Sequence, residues 1–138
     1  MSRSADPKHQ NNVAYHASMR ELLTMMEQKA KTDDARAHVI KAQSMMRIAN
    51  QISPYEVIDK SLPFFVKYNN QIGDRDEEFF VHECGKLATA ETDPAVASLM
   101  LAVRDMYLKS NQTDKDRAYD LLVKMRDVVI QYGIAAAS

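Results

Sequence analysis

Residues 54–80 read PYEVIDKSLPFFVKYNNQIGDRDEEFF, and their order of cap, internal proline, glycine and paired aromatics decides the fold. Ser53-Pro54-Tyr55-Glu56 has the form of a capping box. The serine hydroxyl suits the N3 amide, proline sits at N1 where no donor is needed, and the Glu56 carboxylate can reach back to the Ser53 amide. Pro63 lies well inside the helix that follows. It cannot donate to Asp59 and its ring crowds that carbonyl, so the spacing predicts a kink or a break there. Gly73 is expected to close the segment as a left-handed C′ residue. Asp74 and Glu77 repeat the capping pattern, which predicts a short turn of helix that carries Phe79-Phe80 into one core cluster with Phe64-Phe65.

Outward from this segment the chain continues in the same style. Three glycines and four prolines in 138 residues are too few for the turns of a sandwich or barrel, while alanine, methionine, leucine, lysine and glutamate are plentiful. The fold class expected is all-α, a compact bundle of about five helices. Residues 1–11 read as a mobile tail, and residues 12–138 as one helical domain in which 12–52 form an N-terminal hairpin and 53–138 the helical core. The first helix, from near Asn12 to Ala30, shows Val13, His16, Met19, Leu23 and Met26 at three- and four-residue spacing. Thr32-Asp33-Asp34 opens the second, whose inward face is Ala35, Val39, Ala42, Met46, Ala49 and Ile52. Val81 to Thr92 carries no decisive period, and Gly85 is placed to interrupt it. Asp93-Pro94 is a cap for a helix with Val96, Leu99, Met100, Val103 and Tyr107 inward. Thr113 to Asp116 is the next cap, leading through Ala118, Leu121, Leu122, Met125, Val128, Val129 and Tyr132 to Gly133. These last two helices are expected to form a C-terminal αα-hairpin.

Charge and cysteine content exclude some classes of role. Residues 1–69 carry ten Lys/Arg against seven Asp/Glu and residues 70–138 eight against twelve, so the halves are +3 and −4. With a pI near 6.4 the chain lacks the basic surplus of a generic DNA-binding domain. Cys84 is the sole cysteine, which rules out an intrachain disulfide and points to a reducing, cytoplasmic setting. No apolar run approaches the ~20 residues of a membrane helix, and the first dozen residues lack the apolar core of a signal peptide, so a soluble protein without membrane partners is expected.

The pattern Pro54, Glu56, Val57-Ile58, Tyr68, Gln71-Ile72, Arg75-Asp76-Glu77 and Phe79-Phe80 resembles a segment of small uncharacterised α-helical proteins from large nucleocytoplasmic DNA viruses. Those proteins follow it with a hairpin similar to the polar turn Lys109 to Asp116 and the helix Arg117 to Tyr132, so the resemblance covers residues 54–132. Their internal proline falls near the position of Lys67 rather than Pro63, and they carry a tryptophan in the last hairpin where this chain has none. The resemblance implies a virus-encoded protein made in host cytoplasm, open to packaging in a virion, with no established enzymatic role.

Candidate chemistry is sparse. His82 and Cys84 offer a nitrogen and a thiolate two residues apart, but His9, His16 and His38 lie on separate elements without zinc-site spacing. A nucleophilic Cys84/His82 pair lacks an orienting third group and an oxyanion loop. Asp59, Asp74, Asp76, Glu77 and Glu78 could gather as a carboxylate cluster, yet helix-start acids answering the macrodipole account for most of them. No catalytic residue, cofactor or metal is called for, and no phosphate loop is present.

The nine methionines are the remaining functional signal. Doubling at Met25-Met26 and Met45-Met46 widens each helix stripe, and flexible thioethers suit adaptable binding surfaces. Met19, Met25, Met26, Met45 and Met46 are therefore the candidate contacts for a protein partner, self or another virus-encoded chain, in a homo-oligomer or larger assembly. The function expected is that of a non-enzymatic structural or interaction protein. The alternative is a nucleic-acid-associated accessory factor, with Arg20, Lys29, Lys31, Arg36, Lys41 and Arg47 meeting phosphates. Salt separates the two, because phosphate binding weakens steeply as salt rises.

Overall fold

Aspartate followed by proline starts the first helix. Asp6 accepts the Lys8 amide at 3.0 Å and Pro7 takes the position that needs no donor, so α1 spans Pro7–Lys29. Residues 7–11, expected to belong to the tail, are its opening turns. The structure is a computed structural model that describes residues 6–83, 86 and 94–137. After α1 come α2 Asp33–Ile52, α3 Glu56–Lys67, α4 Asn69–Gly73, a π-helical turn Phe79–Glu83, α5 Pro94–Leu108 and α6 Gln112–Ala137. No strand occurs among the described residues, and the all-α expectation holds. The Asp93 cap and Cys84 lie outside the described residues, as does the side chain of Phe80.

Several boundaries follow the sequence and several do not. Thr32 caps α2 as expected, its hydroxyl accepting the Ala35 amide at 3.1 Å. The Ser53 box forms only in part. Ser53 Oγ accepts the Tyr55 amide at 3.2 Å, but the Ser53 amide already donates to the Ala49 carbonyl at the end of α2. That leaves Glu56 nothing to reach back for, and it lies 3.7 Å from Lys60 instead. α3 runs from Glu56 to Lys67 through Pro63, which lies on its exposed side, and the interruption comes at Tyr68. Asn111 rather than Thr113 caps α6, accepting the Asp114 amide at 2.9 Å.

Neither Gly73 nor Gly133 takes a positive φ; among the described residues the left-handed one is Arg75, at φ 53°. Both glycines are steric notches. A Cβ at Gly73 would stand 2.4 Å from an Arg126 guanidinium nitrogen, and one at Gly133 would stand 3.2 Å from both Leu62 methyls. α6 continues through Gly133 instead of ending there, and the missing side chain lets α3 approach α6 closely.

Packing departs from the expected hairpins. α1 lies chiefly against α6, and α2 chiefly against α5, while α1 and α2 touch far less than a paired hairpin would. The α1–α6 pair is antiparallel: Lys29 meets Asp114 at 2.7 Å and Glu21 meets Arg117 at 2.8 Å. α5 and α6, expected as a C-terminal hairpin, make few contacts with each other: α5 lies chiefly against α2 and α6 against α1, and the two meet through the Tyr107 and Tyr119 rings, 5.7 Å apart. Because α1 is covered by α6, α5 and α2, its buried face is broad: Tyr15, Met19, Leu22, Leu23, Met25 and Met26 are all inside. Val13, predicted inward, is 52% exposed.

Polar anchors fix α3 on this frame. Asn12 Nδ2 donates to the Pro54 carbonyl at 3.0 Å, Tyr15 donates to Ser61 Oγ at 2.6 Å, and Ser61 passes a bond to the Val57 carbonyl. From the other side Tyr132 donates to Asp59 at 2.5 Å. Burial pushes the Tyr15 and Tyr132 hydroxyls well above the ordinary tyrosine range. The aromatic cluster runs Tyr15, Phe65, Phe64, Tyr68, Phe79 with centroids 4.9 to 6.2 Å apart, so Phe79 joins the Phe64-Phe65 pair through Tyr68.

Candidate interaction groove

The segment after Gly73 is clipped to α6 through Arg75 and Glu77. Asp76 accepts the Phe79 amide at 3.2 Å, Glu77 faces Lys115 at 3.6 Å, and Arg75 pairs with Asp116 and Asp120. Among the described residues no group of His, Cys, Asp and Glu is placed to hold a metal ion, and His82 is exposed. No described helix is long and apolar enough to cross a membrane.

The methionines divide. Met19, Met25 and Met26 are 1 to 4% exposed. Burial of such side chains stabilises the fold by roughly 1.5–3 kcal/mol each, and all three belong to the core. The doubled methionines do widen the apolar stripe of α1, but three neighbouring helices cover it. Met45 and Met46 on α2 are half-buried and border a cavity of about 100 Å³ between α2 and α3. Met19, Ala42, Ala49 and Val57 are its buried lining, and Ile48 and Ile52 stand at its edge, 53% and 71% exposed. Ile52 was expected inward. Of the five methionines the groove thus gathers Met19, Met45 and Met46, while Met25 and Met26 lie elsewhere in the core.

The groove is apolar by arrangement. Ser61 lines it, but its hydroxyl already accepts from Tyr15 and donates to Val57, and Lys60 is drawn toward Glu56. Ile48 and Lys60 were missed from the sequence, although a β-branched residue one position off the inward stripe of α2 was a legible sign of a second apolar face.

The cations proposed for phosphate contact do not act as one set. Lys29 is held by Asp114, and Arg36 donates through Nε to the Ala30 carbonyl at 3.3 Å. Arg47 reaches Ser44 at 3.3 Å, while Arg20, Lys31 and Lys41 are exposed. No family model, curated protein or solved structure matches the chain.

Proposed function

We propose that the protein is a non-enzymatic assembly component that pairs with a second copy of itself through the α2–α3 groove. One observation carries the reading: the same patch holds both a hole, lined by Met45, Met46 and Ala49, and protruding knobs, Ile48 and Ile52. A two-fold interface requires a patch that is its own complement, and knobs beside a hole on one helix meet that requirement. The two methionines flanking the hole can adjust their rotamers to an incoming isoleucine. The resemblance of residues 54–132 supports the wider setting, a virus-encoded protein made in host cytoplasm and open to packaging in a virion.

Sedimentation tests the pairing. The protein at tens of micromolar is expected to run as a dimer, and a stable interface should bury about 1,000 Å² or more in total. Ile48→Glu with Ile52→Glu should give a monomer with unchanged helicity, because both side chains are exposed. Met25→Glu is unsuitable as a probe, since it would bury an unpaired charge in the core. A protein that sediments as a monomer without substitution defeats the proposal.

A further inference from the structure

At the end of the bundle where α1 meets the α5–α6 connection, four cations surround a cavity of about 240 Å³. Lys29 comes from the last turn of α1, Lys31 from the link to α2, Lys109 from the link after α5, and Arg117 from the second turn of α6. Gln28 and the buried Met25 complete the wall, and Asp114 is the single carboxylate of the lining. Asp114 is taken by Lys29 at 2.7 Å, and Arg117 is partly answered from outside by Glu21 at 2.8 Å. No described carboxylate pairs with Lys31 or Lys109. Counting Glu21, two positive charges remain uncompensated around one concave space.

Convergence of like charges from four segments carries a repulsive cost in the empty protein, and an anion that bridges them removes it. One further feature favours an anion. Asp114 and Arg117, in the first two turns of α6, place the start of that helix at the cavity wall, where its positive end favours negative charge. The α1 terminus opposes this with its last carbonyls, but the Ala30 carbonyl is already occupied by Arg36. The space equals roughly eight waters at their liquid volume, more than one phosphoryl group fills. With two uncompensated lysines on different segments, a linear anion carrying several charges fits better than a single small ion.

From this geometry we infer a binding site for a polyphosphate group, free or as the phosphate chain of a nucleotide, held by Lys31 and Lys109 with Lys29 and Arg117 beside them. Isothermal titration of the full chain with sodium tripolyphosphate, and separately with ATP, tests it. Both should bind, and Lys31→Gln and Lys109→Gln should each weaken binding about tenfold, the loss of one charge-assisted contact. Lys41→Gln, on α2 outside the cavity, should change nothing. Circular dichroism should show that both exposed lysine variants keep their helicity. Comparable affinities mean that the phosphate chain alone is read, and tighter ATP binding names a nucleotide as the source; either supports the site. Absence of binding at about 1 mM ligand, or binding unchanged by both lysine variants, overturns it. So does binding only of a single-stranded oligonucleotide with steep salt dependence, which would assign these lysines to a nucleic-acid backbone.

Discussion

Gly133→Ala sets two effects of similar size against each other. Alanine inside a helix gains about 0.5–1 kcal/mol over glycine by restricting the unfolded chain. At Gly133 the new methyl would stand 3.2 Å from both Leu62 methyls, so Leu62 must retreat by a few tenths of an ångström. Leu62 is half-buried and can move, but displacing it from its rotamer costs about 0.5–1.5 kcal/mol. The net change should therefore be small, within about 0.5 kcal/mol of zero. Leu62→Ala removes the obstacle at its own packing cost, and in that background Gly133→Ala should stabilise by about 1 kcal/mol. Urea unfolding of the four proteins closes the cycle. An equal gain from Gly133→Ala in both backgrounds would show that the α3–α6 approach does not depend on the glycine, and the notch argument would fail.

Three other positions give testable expectations. His16 titrates below its ordinary value of 6.5, because burial, then Arg20, disfavour its charged form while the Pro54 carbonyl opposes them. The unfolded chain thus binds more protons just below 6.5, so this group's contribution is complete above that pH and is lost as pH falls through the lower folded value. Thermal melts from about pH 7.5 to about pH 5 should show this decline, and it should flatten in His16→Gln. Tyr132→Phe removes the donor to Asp59, whose exposed carboxylate can rehydrate, and should cost about 1–2 kcal/mol in urea. At Arg75, glycine relieves the left-handed strain while losing surface ion pairs of little worth, so Arg75→Gly should shift stability by less than about 0.5 kcal/mol, whereas Arg75→Val should cost more than about 1 kcal/mol by denaturant midpoint.

The fold class was legible because helix starts are local. Thr32 beside two aspartates needs no tertiary partner to act as a cap, and it acts as one. The Asp6-Pro7 start carried the same kind of signal as Asp93-Pro94, but the polar residues after it masked it as tail. What depends on a distant residue was not legible. Gly73 and Gly133 looked like terminators because the residues that need their missing side chains, Arg126 and Leu62, are remote in sequence. The groove was half legible: Met45 and Met46 were singled out, but the methionines of α1 share their composition and differ only in how many helices cover them.

The pairing of α1 with α6 ties early residues to late ones. Glu21 and Arg117, in contact across that pair, are 96 residues apart. At translation rates of about 5–20 residues per second, a newly made α1 spends several seconds without the surface that covers Tyr15, Leu22 and Met26. During that interval its apolar side is open to chaperones or to wrong neighbours. The non-local contacts that close it afterwards should make folding slower than in a bundle whose packed neighbours are consecutive in sequence.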